Sequence, residues 1–229
     1  MSSFAAIIQS ISVWAIPVVI AITLHEAAHG WVAWRLGDDT AMRMGRVTFN
    51  PLRHVDVFGT LVLPGLLLAL RAPFLFGYAK PVPVDFGRLR HPRRDMMLVA
   101  AAGPGINLLL AFAAALTFHV VEYVPDMARA WLAENLRNAI LINLILAVFN
   151  LLPIPPLDGG RIAVGLLPMP AAFALARLEP YGIFLVLGLG ALVPLAADMV
   201  GLDIHPLAWL VGAPVDWLFD AVVTLAGLR

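Results

Sequence analysis

His25-Glu26-Ala27-Ala28-His29 stands inside an apolar run covering residues 4 to 36, where ionisable side chains are not expected. Two histidines four apart lie about 40° apart around a helix, so both imidazoles can reach one metal ion. Glu26 projects about 100° from His25, close enough to face the same cavity and to take a proton from a water molecule activated there. Two ligands and a base at this spacing are the parts that metal-assisted hydrolysis needs. The structural alternative is a pair of histidines in an ordinary soluble core helix. The apolar setting argues against it, because ionisable groups in so apolar a segment are costly and mark functional sites.

A catalytic zinc takes three protein ligands and keeps one position open. The chain has Cys 0, so disulfides are excluded and the third ligand must be a His or a carboxylate. Asp158 is the candidate, in Asn150-Leu-Leu-Pro-Ile-Pro-Pro-Leu-Asp158-Gly-Gly-Arg161. Pro153, Pro155 and Pro156 end a helix that begins near residue 136, and a new apolar run follows from Ile162. Taken alone, Asp158 reads as a helix N-cap with glycines behind it. The histidine pair shifts that reading towards a metal ligand.

The elements that must bring these groups together are membrane helices. The chain has 229 residues, 61% hydrophobic and 13% charged, with a mean hydropathy of +0.89; soluble domains carry about a quarter charged residues. Five segments are long and apolar enough to span: 5 to 36, 96 to 122, 136 to 153, 181 to 200 and 206 to 226. A sixth, 57 to 70, suits a short or re-entrant element as well as a span. The expected fold is therefore an all-α polytopic membrane protein of about five to six transmembrane helices. A cleaved signal peptide over residues 4 to 30 is disfavoured, since Met1-Ser2-Ser3 carries no basic residue.

Between the spans, Val47 and Phe49 alternate with Arg46, Thr48 and Asn50, which predicts a short strand pair over 41–50 turning near Gly45. Lys80-Pro-Val-Pro-Val reads as an extended strip, and Arg88, Arg90, Arg93 and Arg94 as a basic collar at the lipid headgroups. Arg and Lys concentrate between residues 35 and 94, whereas the loop around 123 to 136 offers Arg129 with Arg137 just beyond. By the positive-inside bias the amino terminus lies outside and the basic loops are cytoplasmic. Both the first helix and the helix from 136 then run inward, which delivers the histidine pair and Asp158 to the same depth. Gly103-Pro104-Gly105-Ile106-Asn107 permits close helix packing, with Asn107 reading as an interhelical hydrogen-bonding group. With a formal net charge of +0, nucleic acid is not an expected partner.

Several phrases in one order add to the two motifs: Gly45-Arg46-Val-Thr-Phe-Asn50-Pro51, Gly77-Tyr-Ala-Lys80-Pro81-Val-Pro83-Val, Gly103-Pro104-Gly105-Ile106-Asn107 and Asn150-Leu-Leu-Pro153. Together they resemble the site-2 protease family of intramembrane zinc metalloproteases, peptidase family M50, in its compact form without a PDZ or regulatory domain. The resemblance implies one zinc ion held by His25, His29 and Asp158, with Glu26 as general base, and cleavage of a peptide bond within or next to a substrate's transmembrane helix. It also implies substrate-positioning roles for Asn150 and, less directly, Asn107, and a hairpin at 41–50 that enters the membrane beside the active site. Expected with it are one membrane-embedded peptidase domain over 1–229, with a catalytic core about 5–165 and accessory helices about 180–227. The location that follows is the cell membrane, multi-pass, with the site towards the cytoplasm; the expected partners are the lipid bilayer and a membrane-protein substrate. A rival class is a metal-dependent transporter or a silent membrane binding protein. Glu26 discriminates, since transport needs ligands but no base at that spacing.

Overall fold

A computed structural model describes residues 3–69 and 77–229. The first helix, α1 (Ser3–Leu36), is followed by a single turn, α2 (Thr40–Arg43), and by a wide-turned segment Val57–Val62 that runs into α3 (Leu63–Ala69). The two central helices are α4 (Pro92–Thr117), extended by the tighter turn Phe118–Tyr123, and α5 (Asp126–Asn150). Then come α6 (Asp158–Leu166), α7 (Met169–Ala176), α8 (Gly182–Leu187), α9 (Val193–Met199) and α10 (Pro206–Leu225). Five stretches are long and apolar enough to cross a membrane: Ile8–Leu36, Pro92–Tyr123, Asp126–Asn150, Met169–Met199 and Pro206–Leu225. α4 lies against α1, α5 and α6, and α10 packs on α5.

The observed spans are longer than the apolar runs predict at two places. α5 begins at Asp126 rather than near 136, because its first turns are polar yet helix-forming and Pro125 sets their start. The fourth span begins at Met169 rather than 181 and is broken into α7, α8 and α9, with Pro180 and several glycines at the breaks. Arg71, Pro73 and the last residue of the 57–70 stretch lie outside the described residues.

The strand pair expected at 41–50 is not there, and no strand occurs among the described residues. The backbone of this stretch closes on itself: Met44 N donates to Thr40 O, Gly45 N to Met42 O and Arg46 N to Ala41 O. Gly45, at φ 63, turns the chain out of α2. Asn50 then caps the turn Pro51–Arg53 through Leu52 N. With the donors of Met44, Gly45 and Arg46 satisfied within one turn, the first half of this stretch has no row of groups left to build a ladder. The alternation of Val47 and Phe49 reflects one side chain packed on α1 and one facing out.

Gly30 explains the first of those placements. A Cβ there would meet Val47 Cγ2 at 2.9 Å, Val82 Cγ1 at 3.0 Å and the Ala41 Cβ at 3.2 Å, so three segments converge on the bare backbone beside His29. The strip from 77 to 85 forms neither helix nor strand, and its Val82 lies against α1 at Glu26 and Gly30. Tyr78 N donates to Gly59 O and Lys80 N to His54 O, which moor its start.

Pro17, inside α1, withholds the N–H that would bond Val13 O. Asn138 Nδ2 on α5 donates to that carbonyl at 3.1 Å. In a lipid setting a freed backbone group must find a partner on a neighbouring helix, and here the partner also ties α1 to α5.

Candidate metal centre

α1 carries His25 and His29 one turn apart, and α6 carries Asp158 as its first helical residue. The three ligand-type atoms lie within 4.8 Å of one another. His25 Nε2 and His29 Nε2 are 3.0 Å apart, and Asp158 Oδ2 lies 3.3 Å from the first and 3.4 Å from the second. The rings meet edge to face, with an interplanar angle of 83°.

The hydrogen-bond network decides which imidazole nitrogens carry protons. Ala139 O can only accept, so it faces Asn143 Nδ2, at 2.8 Å. Asn143 Oδ1 therefore faces Asn107 Nδ2, at 2.7 Å, and that nitrogen also reaches Ala21 O at 3.3 Å. Asn107 Oδ1 is left to face His25 Nδ1, at 2.6 Å, which makes Nδ1 the protonated nitrogen. His29 Nδ1 faces Val99 O at 2.7 Å and is protonated for the same reason. As neutral imidazoles, both then present Nε2 lone pairs to each other and to a carboxylate oxygen. Asp158 Oδ2 is buried and has no hydrogen-bond partner. Three converging electron-rich atoms repel unless a cation sits among them, so the donor set fits a metal ion such as zinc.

Local sequence explains how Asp158 arrives. α5 ends at Asn150, and Pro153, Pro155 and Pro156 turn the chain back before α6. A Cβ on Gly159 would lie 2.1 Å from Leu151 O and one on Gly160 would lie 2.4 Å from Pro155 N. Only glycines let the start of α6 press against the chain it has just left. The N-cap position belongs to Leu157, and no side chain makes a capping bond there, so the cap reading of Asp158 does not describe this helix.

α4 supplies the third wall. A Cβ at Gly103 would lie 2.5 Å from His29 Nε2 and 2.6 Å from His25 Nε2, so the absent side chain is what leaves room at the imidazole tips. Glu26 is half-buried, and its Oε2 accepts from Val82 N at 2.8 Å. Asn107 is fully buried, with its polar atoms on His25, Ala21 and Asn143. Asn150 is half-buried at the end of α5, its Nδ2 donating to Leu146 O at 3.0 Å.

Several residues of this region escaped the sequence reading. Asn143 had a usable signal, an amide midway along an apolar run. Gly103 was visible only as a small residue. Buried Arg46 and the Val82 amide had no signal, because both act through contacts far along the chain. Of the expected collar, Arg93 turns to Gly165 O and Leu167 O, and Arg88 pairs with Asp39 at 3.2 Å.

A profile of peptidase family M50 matches residues 118–189, a stretch that contains Asp158 but not the histidine pair. The chain is 40% identical over 178 residues to YwhC of Bacillus subtilis, covering 75% of this chain and 78% of that protein. It is 34% identical over 202 residues to Rip2 of Mycobacterium tuberculosis strain H37Rv, covering 88% of this chain and 71% of that protein. A third relative, Rip2 of Mycolicibacterium smegmatis, is 31% identical over 169 residues, with 73% and 62% covered. All three relatives carry provisional zinc metalloprotease names. No solved structure matches.

Proposed function

We propose, from the premise that this chain belongs to peptidase family M50, that it is a zinc-dependent endopeptidase cutting within or next to transmembrane segments of membrane proteins. One observation carries the reading: the Nε2 atoms of two imidazoles on a spanning helix and a buried carboxylate from α6 converge, with Glu26 next to the first histidine. His25, His29 and Asp158 would hold the ion. A zinc ion bound there supplies Lewis acidity, which makes water a nucleophile near neutral pH and polarises a carbonyl.

The remaining work falls to protein groups. Asn107 and Val99 O hold the two imidazoles in the tautomer that offers Nε2. Glu26 accepts the proton of the attacking water on its carboxylate and returns it to the departing amine nitrogen, which leaves the base unchanged after a turnover. Asn150, where α5 ends, is the group we assign to holding the substrate chain. An apolar groove of ≈ 510 Å³ lined by Val19, Ile20, Thr23, Leu24, Phe49 and Pro51 opens on the turn of α1 that precedes His25. Its composition suits an apolar segment arriving from lipid.

In this reading a catalytic core over about 5–165 is backed by accessory helices over about 180–227. The protein lies in the cell membrane with the site towards the cytoplasm. Single cysteines at Arg90 and Arg129 test the orientation: position 129 should label from outside intact cells and position 90 should not.

Glu26→Gln tests the chemistry. It keeps the shape of the side chain but removes the basic carboxylate, so zinc content should stay near wild type while cleavage of a transmembrane peptide falls at least about a hundred-fold. Wild-type cleavage by this variant would end the assignment. Zinc-dependent transport by a wild type that cleaves no transmembrane peptide would favour the rival class.

A further inference from the structure

The strip Lys80-Pro81-Val82-Pro83-Val84 is gripped by three ionisable side chains, each bonded to its backbone or to the backbone just beyond it. Arg46, buried, donates from Nη2 to Lys80 O at 2.7 Å and to Pro81 O at 3.4 Å. Asp38, fully buried, accepts from Asp85 N on Oδ2 at 2.7 Å. Between these two holds, Val82 N donates to Glu26 Oε2 at 2.8 Å. The prolines on either side have no N–H, so Val82 offers the one donor of residues 81–83. Pro83 also confines Val82 to extended backbone. Below it, the Val82 side chain rests on Gly30, where a Cβ would come within 3.0 Å of Val82 Cγ1.

We propose that this strip is a positioning strap for the catalytic base: the Val82 N–H, held in place by Arg46 and Asp38, fixes the Glu26 carboxylate in the orientation that proton transfer requires. The inference rests on the metalloprotease reading for its consequence in catalysis, but the contact stands without it. A glutamate side chain left free samples several rotamers, and a proton acceptor within hydrogen-bond reach for only part of the time works in proportion. One oxygen bound to a rigid amide leaves the other in a defined place. Val82 is thus a positioning residue that acts through Glu26, and the buried Arg46, which has no other assigned role, serves as its anchor.

Val82→Pro removes the N–H while keeping an extended backbone that Pro83 already imposes. Val82→Ala keeps the N–H and loses only packing, so it sets the baseline. With zinc content and KM matched, kcat of Val82→Pro should fall at least about ten-fold below that of Val82→Ala. A second arm needs no activity. In metal-free protein labelled with 15N-valine, exchange of the Val82 amide should be at least about ten-fold faster in Glu26→Ala than in wild type. Glu26→Gln, whose amide oxygen still accepts, should restore protection. Equal kcat for the two Val82 variants overturns the strap, and so does equal exchange in wild type and Glu26→Ala. A zinc-loaded wild type that cleaves nothing would sink the metalloprotease reading instead, and the exchange arm would still decide whether the strip holds Glu26.

Discussion

Two sets of helices pack in this protein by different means. Along α1, polar contacts recur turn after turn: Trp131 Nε1 donates to Ser12 Oγ at 3.0 Å, Asn138 donates to Val13 O, Asn107 donates to Ala21 O and accepts from His25 Nδ1, and His29 donates to Val99 O. α10 instead meets α4 and α5 mainly through Val215 and Val222 against Ala111, Ala115, Ile140 and Leu144, with one polar tie just past its end, where His119 Nε2 faces Ala226 O at 2.6 Å. The most apolar window of α4 and of α5 is 33% buried within the chain, against 6% for α10. Lipid tails are as apolar as valine, so burial alone does little to hold one register in a bilayer. A hydrogen bond does, because sliding by one residue would leave its groups unpaired in an apolar medium. The polar-laced helix α1 carries the histidine pair of the candidate metal centre, and the lesson is that the site and the register of its helices rest on the same bonds.

The strongest way to break that comparison is Asp158→Ala. It should reduce bound zinc and lower cleavage at least about a hundred-fold, because a two-histidine site lacks a ligand. Full zinc by metal analysis in the purified variant would reduce the convergence of the three side chains to a packing accident.

Next is a matched pair of glycines on α4. Gly103→Ala drives a methyl against both Nε2 atoms and should weaken zinc binding at least about ten-fold. Gly105→Ala, with nothing within 4 Å of its added Cβ, should leave zinc affinity unchanged. Titration with a competing chelator reads both.

The comparison itself is sharpened by one substitution in each helix set. Asn107→Leu removes the acceptor that holds His25 in its tautomer and should lower zinc affinity about 10- to 100-fold. Leu210→Ala, on the exposed side of α10, should leave zinc binding alone and move stability by about 0.5 kcal/mol or less. A larger effect of Leu210→Ala on zinc would show that α10 belongs to the site.

The smallest effect is expected at Asp38. Burial alone would raise its pKa, but hydrogen bonds from Thr40 and from Asp85 N, with Arg88 nearby, hold it below its ordinary 3.8. A depressed carboxylate contributes stability that is present above its unfolded pKa and lost as pH falls through the folded one. Acid unfolding of the wild type should therefore steepen below about pH 4, and Asp38→Asn should flatten that slope. At neutral pH the variant should be less stable by about 1–2 kcal/mol, read from thermal unfolding in detergent.

His25, Glu26 and His29 were legible in the sequence because helical periodicity alone sets their relative directions. Asp158 was legible only as a candidate, through ligand arithmetic, since a cysteine-free chain must complete three ligands from histidine and carboxylate. The alternation at 41–50 misled because one face of a compact turn can mimic a strand when its neighbour in space is unknown. Asn107 was readable as an interhelical amide, but not as the group that sets the His25 tautomer.

By itself, then, the sequence determined that the chain spans a membrane several times and that one of its helices offers two imidazoles and a carboxylate. Both follow from local quantities, apolar length and the 3.6-residue turn. Tertiary structure alone decided that Asp158 meets the histidines, that Gly103 leaves room at their tips, that Asn143 passes its orientation through Asn107 to His25, and that an amide between two prolines reaches Glu26. Each of those joins residues dozens of positions apart. Pairings at that separation depend on how whole helices pack, and no local pattern in the chain encodes them.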